Sequence, residues 1–379
     1  MAATAARLGW AQVMAWRAAS HHLDERVPAK ATLDVVAEIC GLHAQVMSSA
    51  ELTLAARVEG LGPDDVRRAL WEERSLVKTW AMRGTLHLLP AAELPLWQAA
   101  LSTRRNWETG AWQRAFASRQ ELERLNDAVA QALDGRLLTR EDLAARVGEL
   151  TGSEELADKL RESWGALLKP AAALGRLCFA PSQGQQVRFT RPDTWLGGWA
   201  DHDPEKAMAE VARRFLAASG PVTREDFARW WGIPSPARGG RLLEGLGEQV
   251  ARVEVEGTAA YVLAADLPGL AEAGGSRAVR LLPAFDQYVV TATLQAEHLM
   301  PGPFKARVYR PQGWLSPVLL VGGRMDGTWR QEAKGRRLLV TIEPFTGPPP
   351  TWARRAAEAE AERLAALTGG RLELTWADS

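Results

Sequence analysis

Two polar side chains two positions apart, His43 and Gln45, are the first residues in the chain whose spacing suggests chemistry. Held on an extended segment or at a helix start, such a pair can clasp one water. Gln45 both accepts and donates, so it can orient that water without being a strong base. A neutral His43 can do the same and also take a proton, its unperturbed pKa being about 6.5. The plain alternative for His43 is a core or surface histidine that caps a helix. A second set of candidates is suited to contact with nucleic acid: Arg83, Thr85 and His87, then Arg104, Arg105 and Asn106, then Arg188. Arginine forks onto phosphates and guanine edges, whereas the alternative for each is a solvated surface charge. For His87 the alternative is packing across a hairpin.

Several other chemistries lack their usual residues. There is no phosphate-binding P-loop, no glycine-rich dinucleotide fingerprint, no serine nucleophile elbow and no His-Glu-x-x-His zinc motif. Cys40 and Cys178 are the only thiols, and neither has zinc-type spacing, so no metal or cofactor is expected. The 379 residues balance 46 Lys+Arg against 46 Asp+Glu, which argues against coating nucleic acid by bulk charge and leaves a local basic face open. The cations are 39 Arg and 7 Lys, a bias that a GC-rich genome also produces. The first 17 residues contain Arg7, Gln12 and Arg17 and no continuous apolar run, and no window approaches the length of a membrane span. A cytoplasmic protein is expected.

The elements that must position these residues follow a repeated pattern. The segment 135–148 reappears as 220–232: Thr139 or Thr223, then an acidic pair, then an apolar helical stripe. Threonine at the N-cap accepts backbone amides, and Glu141/Asp142 or Glu225/Asp226 complement the helix dipole. Each helix is expected to stop at a glycine, Gly148 or Gly232, with a second helix over 154–174 or 238–248. Both pairs then lead into strand, glycine turn and strand, at 177–190 and 250–263. A helix–turn–helix followed by a hairpin is a winged helix. The N-terminal part fits more loosely, with Thr32 as a cap, a helix over 64–73 and a hairpin over 76–89 bent at Gly84. Residues 90–134 read mostly as helix.

The C-terminal third alternates like strands at 280–293, 315–321, 324–330, 338–343 and 372–376, with a helix over 351–367 and an acidic cluster, Glu358, Glu360 and Glu362, kept away from any DNA face. The fold class is therefore α+β: three tandem winged-helix units plus a β-rich C-terminal cap. The boundaries fall at 1–118, 119–200, 201–270 and 271–379. Three units in one chain can surround a duplex without dimerising, and a monomer is expected.

At this point a resemblance carries further. Segment 39–57, which contains His43-Ala44-Gln45, and Lys78-Thr-Trp-Ala-Met-Arg-Gly-Thr-Leu-His87 resemble the signature of the AlkZ-like winged-helix DNA glycosylases. Leu282-Pro-Ala-Phe-Asp-Gln-Tyr288, Asp326-Gly-Thr-Trp329 and Val340-Thr-Ile-Glu-Pro-Phe345 are similar to the rest of that pattern, over about residues 8–367. The resemblance implies a C-shaped molecule that excises bulky or cationic N7- or N3-alkylated purines, in some members cross-links, from double-stranded DNA without metal or cofactor. It also implies that His43 and Gln45 occupy the family's Gln-x-Gln catalytic motif, with His43 a departure at the first position. Asp286 either stabilises an oxocarbenium-like sugar or holds an arginine. A second departure lies at 289–298, where family members carry an Asp/Arg-rich stretch. A non-enzymatic DNA-binding regulator or lesion sensor is the rival reading, and a bare interaction scaffold the third.

Overall fold

Hydroxyl side chains set the starts of the main helices. Thr139 Oγ1 accepts the Asp142 amide at 3.2 Å and opens the helix Arg140–Thr151, and Thr223 Oγ1 accepts that of Asp226 at 3.1 Å and opens Arg224–Trp231. The second is a reciprocal box, since Asp226 accepts the Thr223 amide in return at 2.8 Å. Ser118 and Glu121 form the same box ahead of Arg119–Ala132. These details come from a computed structural model that describes residues 6–377.

The chain divides into two units: Met1–Asp65 with Ala212–Ser379, and Val66–Val211. In the first unit, the hairpin Val250–Val255 and Thr258–Leu263 is extended by the parallel strand Ala6–Leu8. Its second sheet runs in the order Val279–Leu282, Val318–Val321, Arg324–Lys334, Arg337–Pro344 and Arg371–Trp376. All neighbours in it are antiparallel except the last pair, which is parallel and therefore needs a crossover. The helix Thr351–Thr368 makes that crossover, and its buried Ala353, Ala357 and Ala361 recur every four residues. Small side chains on one stripe let the helix lie close against the sheet.

The second unit contains the hairpin Leu76–Trp80 and Leu86–Pro90, the helices Leu94–Ser102, Arg119–Ala132 and Arg140–Thr151, and a second hairpin, Cys178–Gln183 with Gln186–Thr190. The short strand Leu138–Thr139 pairs with Gln186–Thr190 as a third strand. Leu125, Val129, Leu143, Val147 and Leu160 are all fully buried in one core.

Four expectations are corrected. The helix from Arg140 passes through Gly148 and ends at Gly152, whose φ is 63°. Gly148 is a packing glycine: a Cβ there would come within 3.3 Å of the Ala157 methyl. The helix expected over 154–174 stops at Glu162 and resumes at Leu168, because Trp164 and Gly165 take φ of 49° and 89°. Thr32 is inside its helix rather than at the cap, and its hydroxyl donates back to the Ala29 carbonyl at 2.6 Å. The strand expected over 280–293 ends at Leu282. After Pro283 the chain turns, and Asp286 accepts the Tyr288 amide at 2.9 Å to cap the short helix Gln287–Thr291. Within the acidic cluster, Glu360 is 8% exposed and pairs with Arg26 at 2.5 Å.

Candidate functional site

His43 ends the two-residue strand Leu42–His43, which leaves the helix Thr32–Glu38 through Cys40 and Gly41 at φ of 62° and 85°. The Gly41 amide donates to the Val36 carbonyl at 2.7 Å, closing the helix and aiming the strand. His43 is 6% exposed, and its imidazole stacks on Phe285 with centroids 4.8 Å apart and planes within 8°. Gln45, two residues on, is exposed. One side chain is thus fixed by packing and the other is open to solvent.

The 285–288 turn supports this strand with each of its residues. Phe285 supplies the stack and meets Trp314 edge-on at 4.9 Å. Gln287 Nε2 donates to the Gly41 carbonyl at 2.6 Å, tying the turn to the residue that starts the strand. The Tyr288 hydroxyl donates to the Gly323 carbonyl at 2.7 Å, anchoring the turn to the five-stranded sheet's loop. Asp286 accepts both terminal nitrogens of Arg57, each at 2.7 Å, and both side chains are completely buried. Asp286 thus holds an arginine, which is one of its two expected roles. Arg57 also donates to the Thr53 carbonyl at 2.8 Å, so the pair is bonded on both sides.

A layer of polar groups lies beyond. Arg17 donates to Gln295 at 2.5 Å, and Gln295 donates to Asp226 at 2.6 Å. Burial pushes the Arg17 pKa down. His21 is held well below the ordinary histidine value by desolvation first, and then by Arg57 and Arg17, so its imidazole is neutral at pH 7. The 289–298 stretch provides packing here: His298 stacks on Trp10 at 4.3 Å.

The other predicted residues lie in the second unit. Arg83 and Gly84 form the hairpin bend at φ of 54° and 70°, and the Thr85 hydroxyl donates to the Met82 carbonyl at 2.9 Å. His87 is 1% exposed and its Nδ1 lies 3.0 Å from the Thr85 carbonyl, so it packs within the hairpin. Arg104 donates to the Ala81 carbonyl at 3.1 Å, Arg105 faces Glu108 at 3.6 Å, and Arg188 donates to the Pro181 carbonyl at 2.7 Å. Arg83, Arg104 and Asn106 line one cavity of about 260 Å³, whereas Arg105 and Arg188 are not among its lining residues.

Arg57, Gln287 and Trp314 escaped the sequence reading as site residues. The first two lie inside the recognised motifs, but only the long-range bonds to Asp286 and Gly41 reveal what they do. Among the described residues no group of three or more His, Cys, Asp or Glu could hold a metal ion. Nor is any of their helices long and apolar enough to cross a membrane.

Known proteins agree with the motif reading. The family model for AlkZ-like DNA glycosylases matches residues 36–367. An interstrand DNA cross-link repair glycosylase of Streptomyces sahachiroi is 35% identical over 368 residues, which make up 96% of this chain and 97% of that protein. The solved structure of the Streptomyces sahachiroi DNA glycosylase AlkZ is similar with a TM-score of 0.87 at 34% identity, covering 98% of this chain and 100% of that one.

Proposed function

The chain belongs to the AlkZ-like DNA glycosylase family, and from that premise we propose that it hydrolyses the N-glycosidic bond of N7- or N3-alkylated purines in duplex DNA. A purine alkylated at N7 is already cationic. It leaves with the bonding pair of the C1′–N bond and needs no general acid. What remains for the protein is to place a water against the oxocarbenium-like sugar. Gln45 orients that water, its oxygen bonds to C1′, and its proton passes to the His43 imidazole. The observation that carries this reading is the exposed Gln45 set two residues from an imidazole clamped on Phe285. Asp286 acts through Arg57, as a positioning residue that keeps the 285–288 turn in place.

The relative from Streptomyces sahachiroi is described as a cross-link repair glycosylase, and its likeness along almost the whole chain supports bulky or cross-linked adducts as the substrate class. The reading also keeps three winged-helix units in a monomer, divided as the sequence suggests, with Arg83, Thr85, Arg104, Arg105, Asn106 and Arg188 meeting the DNA backbone. Incubation with N7-methylguanine duplex and with a bulky N7 adduct tests it through released base and alkali-labile sites. Gln45→Ala is expected to slow release by roughly 100-fold or more, in the range of lost positioning or acid–base help. No release from either substrate by the unaltered protein overturns the proposal in favour of a lesion sensor, and an undiminished Gln45→Ala rate removes Gln45 from the mechanism.

A further inference from the structure

The second unit holds a cavity whose chemistry differs from that of the His43–Gln45 site. Its walls are aromatic: Trp80, Trp107, Trp112 and Phe116. Its charges are all positive, from Arg83, Arg104 and Lys169, and no carboxylate lines it. Trp80 is rigid, wedged against Phe179 and Phe189 with centroids 4.7 and 6.1 Å away. Trp112 sits on the short helix Gly110–Ala115, which the Thr109 hydroxyl caps. Lys169 lays its aliphatic stem over the hairpin bend, within 3.5 Å of where a Gly84 Cβ would stand. Arg104 gives one nitrogen to the Ala81 carbonyl, while its buried Nε–H makes no hydrogen bond among the described residues.

Two of these charges, on Arg104 and Lys169, are held in a desolvated setting. Desolvation lowers the Arg104 pKa, and desolvation followed by the nearby Arg104 lowers that of Lys169. An anion in the cavity relieves both. A second unusual feature lies two residues before the lining Ala166: Trp164 is 92% exposed at φ 49°, a costly backbone state for an aromatic residue. The two residues after it belong to the cavity's surroundings. A Cβ on Gly165 would meet Trp80 at 3.1 Å, and Ala166 lines the wall.

We propose that this cavity takes one unstacked nucleotide of DNA, its base against the Trp80, Trp107 and Trp112 rings and its phosphate between Arg104 and Lys169. Aromatic faces accept any base, and a cationic groove follows the backbone, which is the pairing that single-strand sites use. A space of about 260 Å³ admits a nucleotide unit and excludes a base-paired duplex, so the occupant must be extruded or unpaired. The inference rests on this cavity alone and does not require the excision chemistry proposed above.

The test is fluorescence anisotropy with a labelled, 5′-phosphorylated thymidine tetranucleotide and a matching tetramer of abasic units. The thymidine chain is expected to bind about 5- to 150-fold more tightly than the abasic one. Trp112→Ala should remove most of that preference, and Lys169→Gln should weaken binding of both chains and lower the salt slope by about 0.7. Equal affinity for the two tetramers, or unchanged binding in both variants, overturns the inference. Base release from alkylated duplex is measured on the same preparations. Protein that binds the thymidine chain selectively but releases no base overturns only the glycosylase reading, and the reverse result overturns only this one.

Discussion

The two units use their charges in opposite ways. In the first, three guanidiniums are buried and each meets acceptors inside the fold: Arg57 on Asp286, Arg17 on Gln295, and Arg280 on the carbonyls of Ala56, Val279 and Asp24. In the second, carboxylates cluster on exposed helix surfaces. Arg161 there gathers Glu141, Glu154 and Asp158, and Lys159 bridges Glu121 and Glu155, with every one of those acids except Glu121 more than half exposed. The acids are therefore engaged outside, while the cavity of Arg83, Arg104 and Lys169 has none. Buried charge in the first unit holds geometry, and the cavity charge of Arg104 and Lys169 in the second is left for a ligand. A net charge of zero hides this segregation completely.

The sharpest way to break the comparison is Arg57→Met. It strands the fully buried Asp286 carboxylate, and should cost about 3–5 kcal/mol in urea unfolding. Adding Asp286→Asn should recover much of the loss, since asparagine removes the charge and can still accept the Tyr288 amide. Lys169→Gln in the cavity should by contrast stay within about 0.5 kcal/mol, as a surface substitution does. Equal losses in the two units would erase the distinction.

A smaller effect is expected at His21. Its folded pKa lies well below 6.5 because of desolvation, then Arg57 and Arg17, while the unfolded chain takes up a proton near about 6.5. Below that value the unfolded state binds more protons, so stability is complete above about pH 6.5 and falls as the pH drops through it. The limiting slope is about 1.4 kcal/mol per pH unit. Urea midpoints at pH 7.5 and 5.5 should fall more for the unaltered chain than for His21→Gln. A parallel decline would mean that the buried polar layer does not exclude the proton.

Legibility in the sequence followed the range of the interaction. Thr139 and Thr223 were readable as caps because the accepting hydroxyl and the donating amide lie three residues apart. The hairpin at Gly84 and the crossover helix were readable from local pattern too. Gly148 misled because a glycine that ends a helix and one that lets a helix approach look the same, and only Ala157, across the turn, decides. The strand expected over 280–293 misled because burial on all sides makes a turn and a short helix as apolar as a strand. At the candidate site, motif likeness pointed to His43, Gln45 and Asp286. Arg57 was invisible as a partner because 229 residues separate it from Asp286. The cavity was half legible: Arg83, Arg104 and Asn106 stood out as candidates, while Lys169 and the tryptophans that line it with them come from distant segments.

The finest test sits on the exposed side of the comparison. Lys159, and after it the Ser118 hydroxyl and amide, hold the Glu121 pKa down to about 2. A glutamate depressed in the folded state stabilises above its unfolded value of about 4.3, and that contribution disappears as the pH falls toward 2. Because both side chains are about a third exposed, solvent screening reduces the gain to at most about 1 kcal/mol. Glu121→Gln keeps an acceptor for the Ser118 amide, so it isolates the charge from the cap. The variant should be less stable than the unaltered chain at pH 7, equal to it near pH 2, and almost equal to it at pH 7 in 1 M salt. The loss in Arg57→Met should persist at that salt, since the pair it breaks is shielded from mobile ions. A Glu121 effect that survives 1 M salt would place this pair with the buried charges of the first unit and remove the contrast between the two.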